Sequence, residues 1–375
     1  AQIPFEFIDS VAVSSSNSSV QSGGRLGGLV TIKTKSGSND WNFKANTVLS
    51  PLVRSSDTLN YRHGIRDLDH EIMFTTPDES AKTEGNISLS GPIIQDQLYF
   101  YALYNPRSIS SEVLTSKQSG EYQKNKAKQN DAFWGAKLDW QPVDFLKFDY
   151  TAFSDSRILD TPYDGHSLQS KRGGLNQLLS LTVDILDNLN FVASLGRVNQ
   201  QYTDGTSADE PCPVIIDVRE TPQSLGCWVD GVPSTIHAQQ EQNTFVFSYS
   251  LGNHTILFGS EHFTTESTDE IFYSGGAYYR YYHVESGERF RGVTFEESSD
   301  VVRKRKYLAG GEFTKNARSV YLQDVWQVSD VLNVTFGIRH EDYNLEHSES
   351  YAESIAFKNQ WLPKASFEWQ LDSNI

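Results

Sequence analysis

Residues 23–46 read GGRLGGLVTIKTKSGSNDWNFKAN, and the fold follows from how this stretch is parsed. Two glycine pairs, Gly23-Gly24 and Gly27-Gly28, open it. Glycine supplies positive φ angles and lets backbone approach another surface where a side chain would clash. Leu29, Thr31, Lys33 and Lys35 then alternate with Val30, Ile32 and Thr34, the period-two pattern of a strand. Ser36-Gly37-Ser38-Asn39 forms a turn. A second alternating run puts Trp41, Phe43, Ala45 and Leu49 on one face and Asn42, Lys44 and Asn46 on the other. A glycine-rich element thus leads through one turn into the first of many amphipathic strands. A glycine-rich turn in a soluble β-sandwich would read the same way over these residues, so the rest of the chain decides.

At 375 residues the chain is long enough to bury a large core, yet only 38% of it is hydrophobic. Mean hydropathy is -0.48. No apolar run of about 18 residues is present, so no transmembrane helix is expected. A transmembrane β-barrel needs none, because each lipid-facing residue is accompanied by a polar one on the other face. Eighteen Tyr, 21 Phe and 7 Trp suit the aromatic girdles of such a barrel. The net charge of -16, from 48 acidic and 32 basic residues, repels phosphates and argues against nucleic-acid binding. The one dense basic cluster, Arg303-Lys304-Arg305-Lys306, reads as a solvated loop patch or a polyanion site, with the solvated patch favoured.

From Trp41 onward, tight-turn signals alternate with long polar stretches. Turns are expected at 92–96, 142–145, 186–188, 251–253, 328–330 and 371–374. Runs of about nine to eleven residues flank them, enough to cross a bilayer when tilted. Trp134, Ala136, Leu138 and Trp140 alternate with Phe133, Gly135, Lys137 and Asp139. Leu332, Val334, Phe336 and Ile338 alternate with Asn333, Thr335, Gly337 and Arg339, and Ala365, Phe367 and Trp369 do so with Lys364, Ser366 and Glu368. Long loops are expected at about 50–81, 107–129, 158–172, 203–242, 265–315 and 344–359. Short turns on one side and long loops on the other are the habit of outer-membrane barrels. The count comes to about twelve strands.

Three segments carry a resemblance to a known family. The first includes Gly27, Gly28, Val30, Ile32, Thr34, Lys35, Ser36, Gly37 and Asn39. It resembles the plug-to-barrel junction of TonB-dependent outer-membrane receptors, especially their Oar-like branch. The second is a hairpin with Tyr321, Gln323, Asp324, Trp326, Leu332, Gly337, Arg339 and Glu341, and the third is WLPKASFEWQL at 361–371. The resemblance implies an all-β fold, an antiparallel transmembrane β-barrel of about twenty-two strands with its plug inside. Residues 1–40 are then expected to be the C-terminal part of the plug. Residues 41–375 would be the N-terminal portion of the barrel with long extracellular loops. A half-barrel would leave two unpaired edges in lipid, so a piece of a longer chain is expected. The start at Ala1, without Met or a leader pattern, fits that expectation.

The implied function is a receptor in the cell outer membrane. It binds an extracellular ligand at its loops and plug, and imports it, or exports a polypeptide, with energy delivered by the TonB complex of the inner membrane. The implied partners are TonB, outer-membrane lipid and the ligand. A structural or adhesive barrel without transport is the alternative, and a soluble secreted β-sandwich is a third reading. No phosphate loop, nucleophile elbow or paired metal-ligand motif appears, so neither an enzyme nor a cofactor is expected. His63 and His70 share a loop with Asp67, Asp69 and Glu71, which reads as a solvated loop sooner than a metal site.

Candidate ligand-binding residues are Tyr278, Tyr279, Arg280, Tyr281 and Tyr282, with Trp228 as a weaker candidate. Aromatic faces and a guanidinium can stack on a ligand, although the same alternation could simply continue a strand above the membrane. Cys212 and Cys227 flank a Pro- and Gly-containing segment and fit a loop-stapling disulfide or two free thiols; two ligands are too few for structural zinc. A disulfide would imply an oxidising compartment. The resemblance further implies that Arg25 of the plug pairs with barrel-wall carboxylates, for which Glu341 and Glu368 are the candidates. Arg25 could equally face solvent.

Overall fold

The computed structural model describes residues 3–14, 19–21, 23, 29–61, 72–116, 122–163, 166–206, 213–226, 234–348 and 355–370. A 3-10 turn, Phe5–Phe7, leads into β1 (Ile8–Ser14), which pairs antiparallel with β2 (Leu29–Thr34) as a separate two-stranded sheet. Five strands follow: β3 (Asn42–Tyr61), β4 (Ile72–Ile94), β5 (Leu98–Ser116), β6 (Tyr122–Val143) and β7 (Leu146–Ser154). A hairpin of β8 (Arg157–Tyr163) and β9 (His166–Gly173) precedes β10 (Leu175–Leu186) and β11 (Leu189–Thr206). Two short strands, β12 (Val214–Asp217) and β13 (Gln223–Ser224), lie before β14 (Ser234–Leu251) and β15 (His254–Phe272). The next connection holds β16 (Tyr278–Val284), β17 (Arg289–Phe290), β18 (Val293–Thr294) and β19 (Ser299–Arg305). After it come β20 (Leu308–Ser329), β21 (Leu332–His347) and β22 (Ile355–Trp369).

The principal sheet is an antiparallel meander in the order β3-β4-β5-β6-β7-β10-β11-β14-β15-β20-β21-β22, and the β8–β9 hairpin bridges β6 and β11 beside it. The expected all-β antiparallel barrel wall is present, with the expected number of strands along this path. Turns at 95–97, 144–145, 187–188, 252–253 and 330–331 join them at one end. All five fall at or beside the expected positions; the turn expected at 371–374 lies outside the described residues. Asp96 adopts φ 64° in the first of them. Asn39 fixes it there, accepting from the Asp96 amide at 2.9 Å and donating to its carboxylate at 2.6 Å. The turn that closes β2 is thereby tied to the first hairpin of the wall. A Cβ on Gly37 would run into the Phe100 backbone, so glycine is what lets the two approach.

The wall has its polarity inverted relative to a soluble protein. Beside a small apolar cluster of Phe7, Tyr101, Leu103 and Phe133, many buried positions are polar or charged: Asn86, Ser88, Asn105, Lys137, Asp139, Ser319, Gln323 and Arg339. Exposed positions are apolar: Phe43 at 68%, Phe367 at 74%, and with them Leu89, Trp134, Leu138, Phe258, Leu322 and Phe336. Cross-strand register keeps each set together, as in Phe258↔Leu322↔Ile338 on the outer face. Period-two alternation therefore sorts one face toward lipid and the other toward a wet interior.

The expected loop boundaries need correction. Phe272 still pairs with Leu308, and Tyr61 with Ile72, well inside stretches read as loop. Beyond the apolar belt the strict alternation of apolar and polar residues is lost, so the hydrophobic period fades while the backbone ladder continues. The hydrogen bonds, which carry no sequence period, outlast the side-chain signal.

Leu322 lies on the outer face between Val320 and Asp324, beside Phe258 and Ile338 on the neighbouring strands. Leu322→Arg should cost about 2–4 kcal/mol of stability in bilayers, and Leu322→Phe almost nothing. Unfolding measured in lipid vesicles checks this; an arginine tolerated there would mean that this face does not meet lipid.

Candidate plug contact and loop site

Two places on the molecule gather side chains in a way that the wall alone does not require. The first is the inner face, where the N-terminal segment docks. The 3-10 turn throws Phe5 outward and Phe7 inward, and Phe7 is fully buried. Its ring sits 5.5 Å from Phe133, edge to face, 5.9 Å from Tyr101 and 6.1 Å from Phe153. Gly135 supplies the socket, because a Cβ there would strike the Phe7 ring. Around this apolar knob the contacts are polar. The Glu6 carbonyl accepts from the Tyr101 hydroxyl at 2.5 Å and from Lys35 Nζ at 2.8 Å. Lys137 Nζ donates to Ser36 Oγ at 2.9 Å while pairing with Asp139 at 3.2 Å.

Across the inner face, β20, β21 and β22 hold residues 19–21 by a different chemistry. Arg339 is 3% exposed and spends its planar fork on four acceptors. Nε donates to Glu341 at 2.6 Å and Nη2 to Glu261 at 2.8 Å. Nη1 donates to the Val20 and Gln21 carbonyls at 3.2 and 3.1 Å. The Val20 amide donates to Gln323 Oε1 at 2.9 Å, and Lys364 Nζ to the Ser19 carbonyl at 3.1 Å. Val20 itself is sealed against Gly337, where a Cβ would collide with it. The wall thus grips main chain, and its glycines make room for the side chains of the gripped segment.

Arg25 lies outside the described residues. Glu341 is part of the grip as the acceptor of Arg339, beside Gly23. Glu368 occupies the inner-face side of β22 nearer the turns, is exposed and makes no ion pair among the described residues. The arginine at the centre of the contact comes from the wall. Its signal is present in the sequence: Gly337, Arg339 and Glu341 stand at alternate positions of one strand, so socket, cation and carboxylate share one face.

The second place is at the long-loop end. β13, β12, β16 and β19 form a four-stranded sheet in that order. Its centre is a parallel pairing, Val214↔Tyr278 through Asp217↔Tyr281, which ties the β11–β14 connection to the β15–β20 connection. The candidate residues Tyr278 to Tyr282 all lie on β16, but the strand divides them between two faces. Tyr279, Tyr281 and His283 share one face with Asp217, Asp300 and Lys304. There Arg219 donates through Nε and Nη2 to Asp217 at 3.0 and 2.6 Å and through Nη1 to Asp300 at 2.7 Å, with its guanidinium 5.3 Å from the Tyr281 ring. Hydrogen bonding to Arg219 holds Asp217 below the usual carboxylate range. His283 Nδ1 lies 2.8 Å from Asp300, and that bond raises the imidazole above its ordinary value, Glu285 adding to the rise and Arg219 opposing it. Trp228, Cys212, Cys227, His63 and His70 lie outside the described residues.

Removing Arg339 strands two carboxylates and two carbonyls. Arg339→Met should therefore cost about 3–5 kcal/mol and speed amide exchange at Val20 and Gln21 while β10 and β11 stay protected. Unfolding and hydrogen exchange in detergent measure both, and unchanged exchange at Val20 would show that the grip is dispensable. For His283, a raised folded pKa means that its contact with Asp300 contributes fully below the ordinary value of 6.5 and is lost as pH rises through the folded value. Protection of the β16–β19 amides should fall over that rise, and His283→Gln should flatten the profile.

The chain is similar to known proteins over most of its length. The family model described as TonB dependent receptor-like, beta-barrel covers residues 116–375. The outer membrane transporter YddB from Escherichia coli is similar over 97% of this chain and 45% of its own, at TM-score 0.64 and 13% identity. The ferripyoverdine receptor of the outer membrane of Pseudomonas aeruginosa is similar over 98% of this chain and 45% of its own, at 0.60 and 9%. BauA, the ferric preacinetobactin receptor from Acinetobacter baumannii, is similar over 92% and 47%, at 0.54 and 12%. At such identities the likeness is one of fold, and the chain spans less than half the length of each of these three proteins. No curated protein sequence matches it. The chain belongs to the TonB-dependent receptor-like β-barrel family, whose members are receptors and transporters of the outer membrane.

Proposed function

We propose that this chain is part of an outer-membrane receptor that binds its ligand at the long-loop end and moves it inward with energy from the TonB complex. Residues 1–40 act as the end of the plug and residues 41–375 as barrel wall and extracellular loops. The observation that carries this reading is the way residues 19–21 are held. Arg339, Gln323 and Lys364 take backbone amide and carbonyl groups, and Val20 is the apolar side chain inserted. Contacts of this kind can be exchanged for water one at a time as a segment is drawn away, whereas a dry core of equal area would have to open at once.

Tyr278, Tyr279, Arg280, Tyr281, Tyr282 and Trp228 are proposed as ligand-facing groups of the loops. Arg25 is proposed as a further plug contact, with Glu341 and Glu368 as its partners on the wall. Between Cys212 and Cys227, Leu225 donates to the Ile215 carbonyl at 2.9 Å, and Gly226 packs so closely on Pro213 that a Cβ would meet its carbonyl. That closure supports a disulfide at the base of the β12–β13 hairpin.

The mechanism requires residues 19–21 to become accessible only when energy is supplied. A Gln21→Cys variant should react with a membrane-impermeant thiol reagent faster in energised cells than in cells lacking TonB or treated with an uncoupler. Equal labelling in all three would remove the transport reading and leave a structural or adhesive barrel.

A further inference from the structure

The two faces of the loop sheet differ in charge: one balances its acids with cations, and the other carries cations alone on its described strands. Every carboxylate on its described strands, Asp217 and Asp300, lies on the face where Arg219 and His283 neutralise them. The other face carries Arg280, Arg303 and Arg305, and among the described residues none of the three meets a carboxylate. Arg280 stands directly across from Arg303 in the ladder, and Tyr278 across from Arg305. Like charges in facing positions destabilise a sheet. Arg280 is also half-buried, with its Nε sealed from solvent and without an acceptor. A chain of net charge -16 has carboxylates to spare, yet none among the described residues pairs with these arginines.

Aromatic rings frame these guanidiniums. Tyr278 packs on Tyr273 at 5.6 Å at one end, Tyr282 on Phe290 at 4.9 Å at the other, and the Arg280 guanidinium lies 5.4 Å from the Tyr282 ring. Ser299, Val301 and Arg303 alternate as half-covered residues with the exposed Asp300, Val302 and Lys304, so this is the sheltered side of the sheet. Two forks a ladder rung apart, and a third one repeat along the strand at about 7 Å, have the geometry to take oxyanion groups bidentately.

We propose that this face is an oxyanion-binding subsite, with Arg280 and Arg303 clamping a phosphate- or carboxylate-type group and Arg305 reaching a second one. The ligand captured by the loops is then a small molecule bearing at least two oxyanion groups, with Tyr278 and Tyr282 flanking them. The basic cluster and the tyrosine cluster, separate in the sequence, form one site on adjacent strands. This subsite defines the ligand chemistry for the receptor reading above and depends on that reading for the steps after capture. Binding is measured without transport, so the two can fail separately.

Isothermal titration of the detergent-purified protein with pyrophosphate, glutarate and inorganic phosphate, at fixed ionic strength, tests it. Saturable binding of a two-group anion is expected, tighter than that of inorganic phosphate. Pyrophosphate ahead of glutarate would assign phosphate groups, and the reverse order carboxylates. Arg280→Gln and Arg303→Gln should each weaken binding about tenfold or more. Arg303→Lys should also weaken it, since the charge stays and the fork is lost. Lys306→Gln, just beyond β19, should leave it unchanged. Amide exchange of β16 confirms that Arg303→Gln retains the sheet. No saturable binding to the intact protein would overturn the proposal, as would an equal loss in Lys306→Gln, which would mark diffuse charge attraction. Binding intact with no energy-dependent uptake of the bound anion by cells would instead count against the receptor reading.

Discussion

Everything in this molecule depends on backbone hydrogen bonding in a wall that has lipid on one side. No water is available there to satisfy an open amide or carbonyl, so each strand must be paired along its length with its neighbours. The meander meets that demand by sequential antiparallel pairing, with turns of two or three residues wherever hairpins close at the short end. Once pairing is fixed, side chains are left with only two directions, and the period-two pattern decides what each direction meets. Trp134, Leu138 and Trp140 go outward, while Lys137 and Asp139 go inward and are buried. The hydrophobic effect here clears the outer face for lipid and gathers almost no apolar core inside.

An interior of that kind makes its own problem for the segment it encloses. A strand pair resting on a polar wall gains little from apolar burial, and the structure answers with one dry anchor and one wet one. Phe7 is the dry anchor, and burying a ring of its size contributes about 2 kcal/mol. Arg339 is the wet one, where a planar fork bridges two wall carboxylates to two carbonyls of the enclosed segment. Glycine makes both possible, since Gly135 and Gly337 are flat spots on the wall shaped to Phe7 and Val20. The glycine pairs of residues 23–28 point to close backbone approach on the side of the segment. The described sockets add to this that the wall itself has glycines where the segment has bulk.

The fold is legible in the sequence because its determinant is local. Alternation in single strands, and turn residues between them, require no knowledge of what packs on what. The hairpin turns come within a residue or two for that reason, whereas loop limits do not, because strands such as β15 and β20 stay paired into stretches where strict alternation is lost. The sites are harder. Arg339 and Glu341 are visible as parts of a motif, but the acceptors of Arg339 include main-chain carbonyls more than 300 residues away, and carbonyls have no sequence signature. Tyr278 to Tyr282 and Arg303 to Lys306 are each conspicuous alone. Their union depends on a long-range register, Arg280↔Arg303, that neither segment announces.

That register also sets what the loop sheet can do mechanically. β12 and β16 pair in parallel, so the described parts of the two long connections are bonded to each other. Beneath them, β15 and β20 remain paired without a register shift from Phe272↔Leu308 down to His254↔Trp326. Glu261, on β15 within that ladder, is one of the two carboxylates that hold Arg339. A ladder bonded at each step behaves as a strut, and a strut transmits position without choosing between two states. Communication between a filled loop site and the enclosed segment would need a part with two arrangements. Residues 19–21 are the place for such a part, since their hydrogen bonds to Arg339, Gln323 and Lys364 can be traded for water while the wall behind them stays as it is.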